Sequence, residues 1–207
     1  FDSRPQVAEL EFIASGLASE MGRAVVVAVA VVYLAFRLAA RRSWVAATLF
    51  VLPSLLPGSL PALAMVHSFH ARWPLTIADS WIPASLVQAV RFAGVAYLFA
   101  AMAHAALPSA ERAAALAYPP RRRWWRILFP RALPILLTGV SVVTILILGE
   151  VETVHLLGPA GANSPVLALY QMLHFRFDEQ SARLSVALVL AVLGVVAVLS
   201  RWGRGAR

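Results

Sequence analysis

The sequence predicts an all-α membrane protein with five spanning helices and one long basic loop on a single side of the membrane. Three observations carry that expectation. Of 207 residues, 60% are hydrophobic and only 14% are charged, whereas a soluble domain carries about a quarter charged residues. Apolar runs of spanning length recur along the chain, separated by short polar segments. The arginines gather in alternate segments between those runs, as membrane topology requires.

The first twenty positions are polar and acidic for this chain, with Asp2, Glu9, Glu11 and Glu20. From Gly22 to Leu38 runs GRAVVVAVAVVYLAFRL, at the lower limit of ~17 residues for a spanning helix. A start as early as Phe12 is compatible with the pattern and sets Glu20 beside Arg23 on the outer part. Arg37, Arg41, Arg42 and Trp44 close the run. The second run, Val45 to Phe69, holds Pro53, Pro57 and Pro61 at four-residue spacing, with Gly58 among them. Proline removes a backbone donor and clashes with the preceding turn, so this helix is kinked or partly unwound. Membranes tolerate freed carbonyls only where protein or a water-filled path satisfies them. Pro57 and Gly58 therefore read either as part of a translocation path or as the bend of an ordinary span.

A short loop, HSFHARWPLTIADSW, follows with aromatics suited to an interface. His67 and His70 have a spacing that metal sites use, but only Asp79 accompanies them, so no metal site is expected. The third run, Ile82 to Leu107, carries Gln88 and Arg91 well inside the apolar stretch. An arginine there is costly and faces the bundle interior or an aqueous cavity. Arg91 either lines a pathway or pairs with an acid such as Glu150 or Glu152. The fourth run, Ala132 to Leu157, is interrupted by Gly149, Glu150 and Glu152. Those two acids are gate candidates, with solvation at a helix end as the other reading. A long outer segment turns at Gly158-Pro159 and Gly161, and Val166 to Phe177 reads as a re-entrant or interfacial helix. The fifth run, Leu184 to Leu199, ends in Arg201, Arg204 and Arg207.

Twelve of the eighteen arginines fall in the first-to-second connection, the Glu111 loop and the tail. The opposite segments hold Arg4, Arg23, Arg72, Arg176 and Arg183 with most of the acids. The positive-inside rule then puts the Glu111 loop and the C-terminus in the cytoplasm and the N-terminus outside.

That loop reads ERAAALAYPPRRRWWRILFP from Glu111 to Pro130 and is the only long basic interruption in the chain. Pro108 and Ser109 suit a helix start, which sets Glu111 in the first turn, where the helix dipole favours an anion. Ala113, Ala114, Ala115 and Ala117 make a small-residue helix that another protein can approach closely, and Pro119-Pro120 ends it. The stretch resembles the EAA loop of permease subunits of binding-protein-dependent ABC importers, whose pattern is Glu-Ala-Ala, three residues, Gly, then hydrophobic-x-hydrophobic-Pro. Glu111 and Ala113 match the start, Ile127, Phe129 and Pro130 match the end, and the spacing agrees. Arg112 stands in place of an Ala, and Ala117 in place of the turn Gly, with Pro119-Pro120 supplying the break.

The resemblance implies a five-helix permease core over residues 1–207, a fragment or C-terminal half of a longer permease, with the coupling loop at 108–131. It implies an ATPase-coupling role for Glu111, Arg112, Ala113, Ala114, Ala117 and Pro130, and a path or gate at Pro57, Gly58, Arg91, Glu150 and Glu152. The implied partners are a cytoplasmic ATP-binding subunit, a second permease domain in a homo- or heterodimer, an extracytoplasmic solute-binding protein and membrane lipid. The implied location is a bacterial inner membrane. The stretch VLPSLLPGSLPALA and the acidic, Leu-Leu, Gly-Pro segment after Glu150 resemble the iron(III)/thiamine-type branch, which suggests that class of cargo.

Several functions are disfavoured by composition. All basic residues are Arg, so a Walker A lysine is absent and any ATP is bound by another polypeptide. No Cys is present to form a disulfide or a thiolate nucleophile. No His-Glu-x-x-His occurs, no cofactor motif is evident, and no enzyme is expected. The RRRWWR cluster lies directly against a span, which argues against nucleic acid. The alternative class is an ATP-independent secondary transporter or channel, which would show paired intramembrane carboxylates or internal repeats.

Overall fold

The computed structural model describes residues 4–40, 44–70, 72, 74–108, 124–159, 164–175, 185–186, 189–190, 193–194 and 197. Helices form nearly all of these. The first, α1 (Arg4–Ala39), is longer than its apolar run, and its spanning part covers Ala14–Ala39. Two others reach spanning length among the described residues, at Trp81–Ala105 and Trp125–Leu148. At 1.5 Å per residue these three are about 36–39 Å long, enough for a hydrocarbon layer of about 30 Å.

The second run is broken, as its prolines require. Helix α2 (Trp44–Ser54) and helix α3 (Ser59–Met65), which a π-type turn at Val66–His70 prolongs, meet at 98°. Pro53 lies in the last turn of α2, where tight bonds from Leu55 N to Leu52 O and from Leu56 N to Pro53 O, each 3.2 Å, wind the helix down. Pro57 then supplies no donor, and α3 restarts with Leu60 N on Pro57 O at 3.1 Å. A single turn, α4 (Leu75–Ala78), leads to α5 (Trp81–Ala105). Ser80 caps α5 from an extended backbone, accepting from Ile82 N at 3.2 Å.

A second π-type turn, Trp124–Leu128, opens into α6 (Phe129–Leu148). The fourth span therefore starts at Trp125, earlier than the expected Ala132, because Trp125, Ile127 and Leu128 join the apolar surface. It also ends earlier. Gly149 and an extended Glu150 interrupt the helix, and the remainder of the run is a separate helix, α7 (Val151–Leu157). After Gly158, Ser164 and Pro165 start α8 (Pro165–Phe175), a helix where one was expected over Val166–Phe177, of which residues 176 and 177 lie outside the described residues. Of the fifth run, only Ser185, Val186, Val189, Leu190, Leu193, Gly194 and Ala197 are described, each of them helical.

The core is a seam of small side chains. Ala24, Ala28, Val31, Val32, Ala35, Phe36 and Ala39 form a buried stripe on α1 at helical spacing. It meets Ala96, Ala100 and Ala103 of α5 and Ala132, Leu136, Val140 and Val143 of α6. Between helices in lipid there is little hydrophobic drive, so close backbone approach and packing hold such a seam. Gly94 shows the approach: a Cβ there would stand 2.5 Å from Ser54 Oγ of α2. Large apolar side chains such as Val26, Leu49, Leu55, Leu63 and Leu98 are turned outward, which suits a lipid or partner surface.

The contacts also fix directions. Arg23 meets Gln88 and Phe36 meets His104, so α1 and α5 run parallel. Phe50 meets Tyr97 and Ser54 meets Gly94, so α2 runs against α5, as does α6 through Gln88 and Ile147. The four spans thus alternate in direction, and Ala39, Trp44, Ala105 and Trp124 share one face of the bundle.

Candidate functional site

The charged and polar residues inside the bundle gather where the two broken spans meet α5. Arg91 lies ten residues beyond Trp81, about 15 Å along the helix and close to its middle. The α2–α3 break and the α6–α7 break both reach this level. The Arg91 guanidinium donates through Nη1 to Glu150 Oε1, and the same nitrogen stands 4.0 Å from Glu152 Oε2. Thr153 donates to the same Glu150 oxygen from one turn along α7. The two acids differ sharply in setting, with side-chain exposures of 3% for Glu150 and 59% for Glu152. Glu150 Oε2 is buried and has no hydrogen-bond partner among the described residues.

Gly58 is buried directly beneath this pair. A Cβ on it would fall 1.6 Å from Arg91 Nη1 and 2.5 Å from Glu150 Oε1. Its backbone is ordinary right-handed helical, with φ −59° and ψ −33°, so space and not conformation demands glycine there. Pro57, beside it, is exposed. The structure therefore brings Gly58, Arg91, Glu150 and Glu152 together from three separated stretches, with Pro57 forming the bend. Of the two acids considered for Arg91, Glu150 is the bonded one.

A second polar cluster lies nearer the Trp81 end. Arg23 donates to Gln88 Oε1 at 2.6 Å and to Ser85 Oγ at 3.4 Å, and its guanidinium lies 4.6 Å from the centroid of the Trp81 ring. Gln88 is fully buried and donates in turn to Ile147 O at 3.4 Å, one of the end carbonyls of α6. Buried Glu20 accepts from Ser164 Oγ at 2.7 Å, while that same hydroxyl accepts from Leu167 N at 3.1 Å and so caps α8. Sequence spacing alone set Glu20 beside Arg23 and gave no hint of partners this far along the chain. Thr153 was also missed, although its place three residues after Glu150 is a usable helical signal.

At the other face, Pro130 is the exposed second residue of α6. Trp125 is half-exposed and contacts Phe129 with ring centroids 5.4 Å apart. His104 stacks on Phe36 at 4.4 Å and joins its carbonyl at 3.0 Å, binding the ends of α1 and α5. The other residues expected to engage an ATPase, Glu111, Arg112, Ala113, Ala114 and Ala117, lie outside the described residues. Among the described residues, no group of three or more His, Cys, Asp or Glu side chains is placed to hold a metal ion.

No family model matches the sequence, and no curated protein matches it either. Among solved structures, the chain is similar to one in the inward-facing MetNI methionine ABC transporter, with a TM-score of 0.75 over 97% of this chain and 98% of that one. The fold is that of an ABC-transporter chain. Sequence identity is 15%, so the likeness concerns the path of the backbone.

Proposed function

We propose that this chain is a membrane-spanning permease subunit of an ATP-driven ABC importer. The observation that carries the reading is the end-to-end fold likeness to a chain of an ABC transporter. The spacing from Glu111 to Pro130 supports it independently, since it matches the loop through which such permeases engage their ATPases. In this reading Glu111, Arg112, Ala113, Ala114 and Ala117 form the coupling helix, and Pro130 marks its return to the bundle. A separate cytoplasmic subunit binds and hydrolyses ATP, and a second permease domain completes the pathway. A solute-binding protein delivers cargo to the outer mouth. Residues 1–207 act as one transmembrane domain in a bacterial inner membrane, with the N-terminus outside and the C-terminus in the cytoplasm. Pro57, Gly58, Arg91, Glu150 and Glu152 belong to the path or its gate, where ionisable groups within a membrane are functional by default. The sequence resemblance points to iron(III) or thiamine-like cargo, whereas the structural neighbour is a methionine transporter.

The test is co-purification of the membrane protein with its native ATPase, comparing the native chain with Glu111→Ala. The ATPase is expected to accompany the native chain, and the substitution is expected to weaken the association or uncouple solute-stimulated hydrolysis. If no ATPase associates in any lipid or detergent, the importer reading fails and an ATP-independent transporter takes its place.

A further inference from the structure

We infer that Arg91 is a two-position latch, alternating between Glu150 and Glu152, and that its Glu150 position holds the elbow of the second span against the break in the fourth. The geometry carries this in three steps. First, one nitrogen of Arg91 bonds Glu150 and lies only 4.0 Å from Glu152, so a small side-chain swing exchanges partners without moving α5. Second, the two seats are unequal, one acid being buried and the other mostly exposed. Third, Gly58 is buried against both Arg91 and Glu150 where they bond, with no room for even a methyl group. The bonded pair therefore rests on the backbone at the elbow, and α3, α5 and the start of α7 are held at one point. When the guanidinium moves to Glu152, that support is withdrawn from the elbow. Thr153 stays as the hydrogen-bond donor to Glu150.

The chain has no cysteine, so a spin-label pair is introduced cleanly. Leu49→Cys and Leu63→Cys place labels on outward-facing positions of the two arms of the elbow. Distances between them are read by pulsed electron resonance on the full chain in lipid nanodiscs. The native chain is expected to show one dominant distance. Glu150→Gln removes the buried seat, and Gly58→Ala occupies its floor. Each is expected to raise the ratio of a second distance to the first by about tenfold. Glu152→Gln alone removes the exposed seat and is expected to leave the first distance dominant. A distribution that neither Glu150→Gln nor Gly58→Ala moves overturns the latch, as does a second distance that Glu152→Gln alone brings up. Two independent routes to the second seat keep the test decisive if one variant does not fold. Neither an ATPase nor a solute takes part, so failure here leaves the importer reading standing, and failure of that reading leaves the latch.

Discussion

Gly58→Ala tests the packing beneath the ion pair, because two physical arguments give opposite signs. Gly58 has right-handed helical backbone angles, and replacing such a glycine with alanine stabilises a protein by about 0.4–1 kcal/mol where space is free. Here space is not free, since the new methyl carbon would lie 1.6 Å from Arg91 Nη1. The guanidinium must leave Glu150, and breaking a buried pair costs about 3–5 kcal/mol. Arg91 retains 24% side-chain exposure and has Glu152 nearby, so the low end of that range applies. Subtracting the propensity gain leaves a net destabilisation of about 2 kcal/mol. The assay is reversible unfolding of the full chain in bicelles, with Arg91→Ala and the Arg91→Ala/Gly58→Ala double variant alongside. Once the guanidinium is gone, the methyl still meets Glu150 Oε1, the far end of a side chain that can shift, so the loss caused by Gly58→Ala should shrink markedly. A Gly58→Ala chain as stable as the native one, or an equal loss in both backgrounds, would refute the reasoning.

Two further substitutions probe the polar cluster near Trp81. Gln88→Leu removes the acceptor for Arg23 and the donor to Ile147, leaving a part-buried cation short of a partner; a loss of about 1–3 kcal/mol is expected in the same unfolding assay, and an unchanged midpoint would count against the cluster. Ser164→Ala removes both the cap of α8 and the bond to Glu20, so about 1 kcal/mol of local stability should go, seen as faster amide exchange across Pro165–Phe175 with α6 unaffected.

Much of the fold was legible because membranes impose strong local rules. Runs of apolar residues announced α1, α5 and most of α6, and three prolines announced the elbow. The acids after Gly149 were legible as partners for Arg91, since an arginine inside a span needs one. What stayed hidden were choices among distant groups. Nothing near Arg23 in sequence indicates Gln88, and nothing near Glu20 indicates Ser164, because those partners depend on how parallel and antiparallel helices are set against one another. The boundary of the fourth span was misplaced for a related reason: Trp125, Ile127 and Leu128 follow an arginine cluster that masks their apolar character in sequence. Gly58 was legible as a path element or a bend, and the pair resting on it became apparent only with the third dimension.

The two breaks at one depth also divide the molecule mechanically. Beyond them, the pieces toward the Trp81 end are short: α3 with its π-type turn is about 18 Å long and α7 about 10 Å. On the other side, α1, the lower part of α5 and α6 share a continuous seam of alanines and valines. The short pieces are levers on a common fulcrum, and the seam is the frame that stays still. A tilt of either short piece would act on the Trp81 end, whereas Pro130 and the stacked His104 lie at the opposite end.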